Sequence, residues 1–207
     1  MNGTQKLSII ALFTSLVIVT DYAMLPIPNV KLVFTMTFSS AYAFGFKVGA
    51  AVAILTELIW GLISPDGFGG LIIPFLVAAN IIYAFAGWGA SKMWGHDIRP
   101  ISSLNIYFGS ILAVCAFLWD TATNFGTAIL IVWPHVTVAA LLYYEGFGIP
   151  FMVFHELGDF VLGSALAPVI IVYFLRVFGR QDKIKLPMKT VKEDITISGT
   201  KSPTMQI

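Results

Sequence analysis

Five of the eleven acidic residues in this 207-residue chain fall inside segments apolar enough to cross a membrane: Asp21, Glu57, Asp120, Glu156 and Asp159. The apolar stretches around them hold no Lys or Arg, with Lys47 and Arg176 falling at the helix ends. A carboxylate near the centre of a spanning helix costs roughly 2.5 to 3.5 kcal/mol on insertion scales, and less toward the ends. Five such groups without basic partners predict a shared polar cavity. Where that cavity opens decides most of what the chain can do.

The rest of the composition agrees with a membrane setting. Hydrophobic residues make up 57% of the chain and charged residues 11%, against about 25% charged in a soluble domain. The expected class is an all-α integral membrane protein. A hydrocarbon core about 30 Å thick needs roughly 20 helical residues per span, so six spans with short loops use about 180 residues. That leaves residues 1–178 as a six-helix transmembrane substrate-binding domain and 179–207 as a polar tail without apolar periodicity, expected to be disordered. A net charge of +1 gives no field to recruit nucleic acid. The single Cys115 cannot form an intrachain disulfide and reads as a small buried hydrophobe. The first apolar run ends in Pro26-Ile27-Pro28-Asn29 with no small-residue cleavage site, so it is read as the first span.

Apolar runs and turn signals predict helices over residues 7–25, 32–46, 47–63, 71–91, 104–132 and 150–178. Ser64 to Gly70 is read as a turn, and Pro150 as the first helical residue of the sixth span. With both termini cytoplasmic, eleven of the twelve Lys and Arg lie on the inner side and only Lys31 on the outer. The positive-inside rule therefore gives an N-in, C-in topology. In that topology Asp21, Glu57, Asp120, Asn124, His155, Glu156 and Asp159 all fall in outer halves, and Asn80 falls near mid-depth. The cavity is expected to open outward over an apolar floor.

Helical spacing groups these residues further. Asp120 and Asn124 share a face, as do His155 and Asp159, with Glu156 and Gly163 flanking the second stripe. Glu57 precedes Trp60 by three residues, placing a carboxylate and an indole on one wall, a combination suited to an organic cation or heteroaromatic amine. His155 is read as hydrogen-bonded to Asp159 one turn away, with a proton relay or a metal ligand beside Glu156 and Asp159 as the alternative, while His96 and His135 are read as solvated loop residues. On the first helix, Ser8, Ala11 and Ser15 form a small-residue ridge that permits close helix approach, within the monomer or against a partner helix. Gly45 and Gly49 form a similar ridge where the second and third helices meet. No Walker A loop, GxSxG elbow or HExxH pair is present, and no inverted repeat marks a self-sufficient transporter, so no enzyme is expected.

The order of several segments resembles the substrate-binding (S) component of energy-coupling factor transporters across residues 7–178. The carriers are Leu25-Pro26-Ile27-Pro28-Asn29, the Ala43 to Ala50 junction (AFGFKVGA), Trp119 to Asn124 (WDTATN), and Pro150-Phe151 followed by His155-x3-Asp159. The family often has Asn where this chain has Asp159. The resemblance implies a vitamin-binding membrane protein in the cell membrane with an external pocket. It further implies docking, through Ser8, Ala11 and Ser15, on a transmembrane coupling protein driven by two ATPases. The expected substrate contacts are Asp120, Asn124, His155 and Asp159, with Glu57 and Trp60 as a side wall, Asp21 near the rim, and Glu156 and Asn80 in the same set. The loop from Pro26 to Lys31 is expected to gate the site. The cargo expected from the acids is an aminated heterocycle, with no resident cofactor or metal. The competing expectation is an autonomous proton-coupled transporter that uses the acids as relays.

Overall fold

The computed structural model describes residues 1–27, 29–65 and 67–178. Expectations placed on Pro28, Asp66 and the polar tail from residue 179 onward fall outside these. The described chain is helical with no strand, in the order α1 (Gly3–Met24), α2 (Val33–Phe44), α3 (Phe46–Ile63), α4 (Ile73–Trp94), α5 (Leu104–Val132) and α6 (Val138–Val177). A short 3-10 turn, Gly70–Ile72, leads into α4.

Local chemistry sets several of these boundaries. Asn2 caps α1 by accepting from the Gln5 backbone at 2.8 Å, while the Gln5 side chain accepts from the Asn2 backbone at 3.0 Å. This reciprocal pair satisfies two of the four donors a helix start leaves open. Gly45 has φ +95, open to glycine and costly for other residues, and reverses the chain between α2 and α3 within one residue. Thr137 caps α6 through its hydroxyl, which accepts from the Ala140 backbone at 3.2 Å.

Two expectations about helix extent need correction. The connection before the sixth span is helical, so α6 has 40 residues and Pro150 lies inside it. Thr137, not Pro150, marks its start. At 1.5 Å per residue α6 is about 60 Å long, roughly twice a hydrocarbon core. The second correction concerns α2. Its 12 residues reach only about 18 Å, so five helices, not six, are long and apolar enough to span a membrane.

That short helix is the post around which the others pack. Every residue of α2 from Val33 to Ala43 is buried. Close neighbours make this possible: a Cβ at Gly87 of α4 would lie 2.2 Å from the Phe38 carbonyl oxygen, and one at Gly49 of α3 would lie 2.3 Å from Ala41 Cβ. The Gly45/Gly49 ridge thus serves packing inside the monomer. Half of the bundle is a dry aromatic core, with Phe13 against Phe174 at 4.5 Å and Phe38 and Tyr42 against Phe108 at 5.5 and 5.4 Å. His96 packs at this end against the Tyr42 ring and is half-buried, not simply solvated. His135 is exposed and Cys115 is buried, as expected.

The outer surface carries large apolar side chains such as Leu7, Phe85, Ile106, Val114 and Phe147, each more than 60% exposed. A soluble monomer does not present so continuous an apolar exterior. With five apolar helices of spanning length, this is a multi-pass membrane protein.

Candidate functional site

The intramembrane acids the sequence singles out lie in the last turn of α1, the second half of α3 and the middle of α5 and α6, near where α2 begins. The first cavity there holds about 520 Å³ of empty space, part of it open to solvent. Its walls bring together Asp21 of α1, Thr56, Glu57 and Trp60 of α3, Leu76 of α4, Trp119 of α5 and His155 of α6. Phe34 and Val33, the first turn of α2, line its side. Asp21 also faces the backbone N–H groups of Leu32 and Val33, where α2 starts and its dipole favours an anion.

Glu57, Trp60 and His155 are each held by a partner. Glu57 accepts from Asn80 Nδ2 at 3.0 Å, so Asn80 positions the carboxylate without lining the cavity itself. Trp60 is braced edge-on by Tyr22, whose hydroxyl donates to the Ile63 carbonyl at 2.8 Å. His155 Nδ1 lies 3.0 Å from Asp120 Oδ2, and its Nε2 lies 3.7 Å from Asp159 Oδ2. The same Asp159 oxygen accepts from the Tyr83 hydroxyl at 2.7 Å. The imidazole thus stands between two carboxylates, with its hydrogen bond reaching across to α5 and not down its own helix to Asp159 as expected. Phe34 packs against it at a tilt, 4.5 Å between ring centres, and Trp119 meets it perpendicularly at 5.3 Å.

A second cavity lies on the other side of Trp119, between α5 and α6, with about 820 Å³ of empty space that includes open solvent. Asp120 and Asn124 face this one, together with Thr123, Thr127, Tyr144 and Phe147. A third hollow of about 600 Å³ runs under the α1–α2 loop, where Asp21 meets Ile27, Lys31 and Phe151. Asn29 lines all three. It adopts φ +57 and donates from Nδ2 to the Phe151 carbonyl at 3.0 Å, which pins the loop to α6.

No family model, curated protein or solved structure matches this chain. The site is therefore read from its own residues.

Of the residues expected to share one pocket, Asp21, Glu57, Trp60 and His155 line the first cavity, and Asp120 and Asn124 line the second. Asp159 and Asn80 stand behind them as buried supports. Asp21 is only 2% exposed, so it belongs to the interior and not to an open rim. Glu156 is half-buried and lines none of the three cavities. Ser8, Ala11 and Ser15 are exposed along α1, while Thr14 and Asp21 on its other face are buried. The ridge is therefore open and not consumed by packing inside the monomer.

Two charged residues gain roles that the sequence reading does not give them. Lys31 reaches from the loop into the first cavity, its Nζ 4.4 Å from the centre of the Trp60 ring and close enough to Asp21 and Glu57 to attract both. The expectation that the acids have no basic partner is thus corrected. A signal was present, since Lys31 is the one basic residue outside the inner segments. Glu145 is the other. It lies on the unforeseen first part of α6 and accepts from the Thr121 hydroxyl at 3.0 Å.

Proposed function

We propose that this chain captures a small molecule from the external side of a cell membrane, with both termini cytoplasmic, and acts as the substrate-binding subunit of an energy-coupling factor type importer. The observation that carries the reading is the pairing of a polar, aromatic-walled cavity at one bundle end with a tightly packed apolar core at the other. Ligand pockets are concave and mostly apolar with a few convergent polar groups, which is the composition around Trp60, Glu57, Lys31 and His155. Such a chamber suits holding a ligand from one side. The core around Phe13, Phe38, Phe108 and Leu112, all fully buried, leaves translocation to a second component.

The exposed Ser8, Ala11 and Ser15 ridge supports docking on a transmembrane coupling protein, which two ATPase subunits would drive. The cargo that fits is an aminated, vitamin-like heterocycle. Its donor groups meet Asp21 and Glu57, and its ring lies against Trp60 and Trp119.

The test is mass spectrometry of small molecules that co-purify with the detergent-solubilised protein, run beside the double variant Glu57→Ala/Asp120→Ala. A compound enriched in the native protein and lost from the variant is the expected result. A native preparation carrying nothing above the variant overturns the reading. The run of Tyr83, Asp159, His155 and Asp120, with successive separations of 2.7, 3.7 and 3.0 Å, favours one competitor, a proton-coupled transporter. That competitor predicts uptake by liposomes holding this chain alone, driven by a pH gradient.

A further inference from the structure

Resting on the capture reading, we propose that the first and second cavities form one bipartite site for an uncharged nucleoside-like molecule. Its flat aminated ring occupies the first cavity and its hydroxylated tail the second, joined across the wall made by Trp119 and Asn29.

The wall is thin. Trp119 and Asn29 each line both cavities, and His155 on one side is a single hydrogen bond of 3.0 Å from Asp120 on the other. A ligand spanning the two must pass between Trp119 and Asn29, the residues that both linings share.

The two compartments ask for different chemistry. The first offers the carboxylates of Asp21 and Glu57 to accept from a ring amine, and the Lys31 ammonium to donate to a ring nitrogen or carbonyl. Mixed donors and acceptors on one edge of a flat ring, between aromatic walls, match a nucleobase better than a simple cation.

The second compartment holds neutral hydrogen-bonding groups: Thr123, Asn124, Thr127 and Tyr144. Its one charged group is Asp120, and one oxygen of that carboxylate is already engaged by His155. No Lys or Arg lines it. A phosphate or carboxylate tail would lie beside Asp120 with no cation to meet it, whereas hydroxyls find both donors and acceptors.

Unused hydrogen-bonding capacity points the same way. Asn124 Nδ2 has only the Met152 sulfur at 3.6 Å, a weak acceptor. Trp119 Nε1, in the dividing wall, is buried with no partner among the described residues. A buried donor left without an acceptor calls for an explanation, and a ligand oxygen placed at the wall supplies one.

The experiment titrates the full-length solubilised protein calorimetrically with cytosine, cytidine and cytidine monophosphate, and with adenine, adenosine and adenosine monophosphate. In at least one series the nucleoside should bind about ten-fold more tightly than the free base, the gain expected from one or two well-made hydrogen bonds, and more tightly than the monophosphate. Thr127→Trp, which fills the second cavity, should bring the nucleoside-to-base ratio to about one. Asn124→Ala removes the amide without adding bulk and should lower that ratio about three-fold if the bulky variant does not fold.

A base that binds as tightly as its nucleoside, or a monophosphate that equals the nucleoside, overturns the proposal. So does a ratio that survives both variants, or six compounds that all fail to bind. In each of those cases the capture reading still stands or falls on the co-purification experiment, which depends on no chosen probe.

Discussion

The two halves of this bundle solve the same packing problem in opposite ways. At the end with the α2–α3 reversal, helices meet through aromatic side chains and backbone-to-backbone contacts, with Gly87 against the Phe38 carbonyl and Phe38, Tyr42 and Phe108 interleaved. At the other end the helices are held apart, and the gap is lined by groups that are costly to bury: Asp21, Glu57, Asp120 and His155. The difference separates stability from binding. Changes in the dry half should act on folding and leave affinity alone, while changes in the wet half should act mostly on affinity.

The largest effect is expected in the dry half. Gly87→Ala places a Cβ 2.2 Å from a backbone oxygen that cannot swing away, so α2 and α4 must separate. Overpacking at a fixed backbone contact costs about 3 kcal/mol, the upper part of its usual range. At roughly 2 to 4 °C per kcal/mol for a chain of this size, melting of the solubilised protein should fall by about 6 to 12 °C. The ligand affinity of the protein that remains folded should not change. An affinity loss as large as the stability loss would break the division between the halves.

Next comes Asp159, which sits on the boundary. Its Oδ2 takes the Tyr83 hydroxyl at 2.7 Å and faces His155 Nε2 at 3.7 Å. Asp159→Ala leaves the buried Tyr83 hydroxyl without its acceptor, which costs about 1 to 3 kcal/mol, and removes the carboxylate beside His155 Nε2, so that the imidazole is held through Asp120 alone. Both melting temperature and affinity should fall. Asp159→Asn keeps an acceptor for Tyr83, so it should recover most of the stability. If it recovers the affinity as well, the carboxylate charge plays no part in the site.

What could be read in the sequence divides along the same line. The extents of α1, α3, α4 and α5, and the break after Ile63, follow from local composition. The splitting of the acids between two cavities did not follow. Helical periodicity gives the face of each residue on its own helix, but not which neighbour stands opposite. Asp120 and Asn124 were grouped correctly on α5, yet Trp119 places them on the far side of a wall from Glu57 and Trp60. The length of α6 was missed for a related reason. The segment from Val138 to Gly148 mixes Glu145 and glycines into an apolar run, and Pro150 reads locally as a helix start. Packing against α5 carries the helix through that proline. The second predicted helix, residues 32–46, is short even in the sequence, and Gly45 turns the chain back near its end.

Lys31 tests the wet half alone. Its side chain lies over Trp60 at 4.4 Å and is attached to a loop, with no role in the core. Lys31→Gln removes a cation–π contact of about 0.5 to 2 kcal/mol and leaves Asp21 and Glu57 facing the cavity without a nearby ammonium. Affinity for a ring that accepts from Lys31 should fall about three- to ten-fold, with the melting temperature falling by about 1 to 8 °C at the same 2 to 4 °C per kcal/mol. A purely cationic ligand would instead bind more tightly once the ammonium is gone. The direction of this one change therefore distinguishes a donor-and-acceptor ring from a simple cation.

The smallest effect is expected at Glu156, and it bears on how the wet half is defined. Glu156 is adjacent to His155 and only three residues from Asp159, so sequence spacing alone makes it equal to them. Yet α6 turns it away: Glu156 is half-buried and lines none of the cavities, while His155 and Asp159 are 2% and 1% exposed. A carboxylate outside the cavity contributes to binding only through a screened field. Glu156→Gln should leave stability within about 0.5 kcal/mol, the usual range for a surface change. Affinity should stay within about two-fold in the same calorimetric titration that detects the Lys31 effect. A loss near that of Asp159→Ala would mean that the ligand reaches around α6, and that the wet half extends beyond its two cavities.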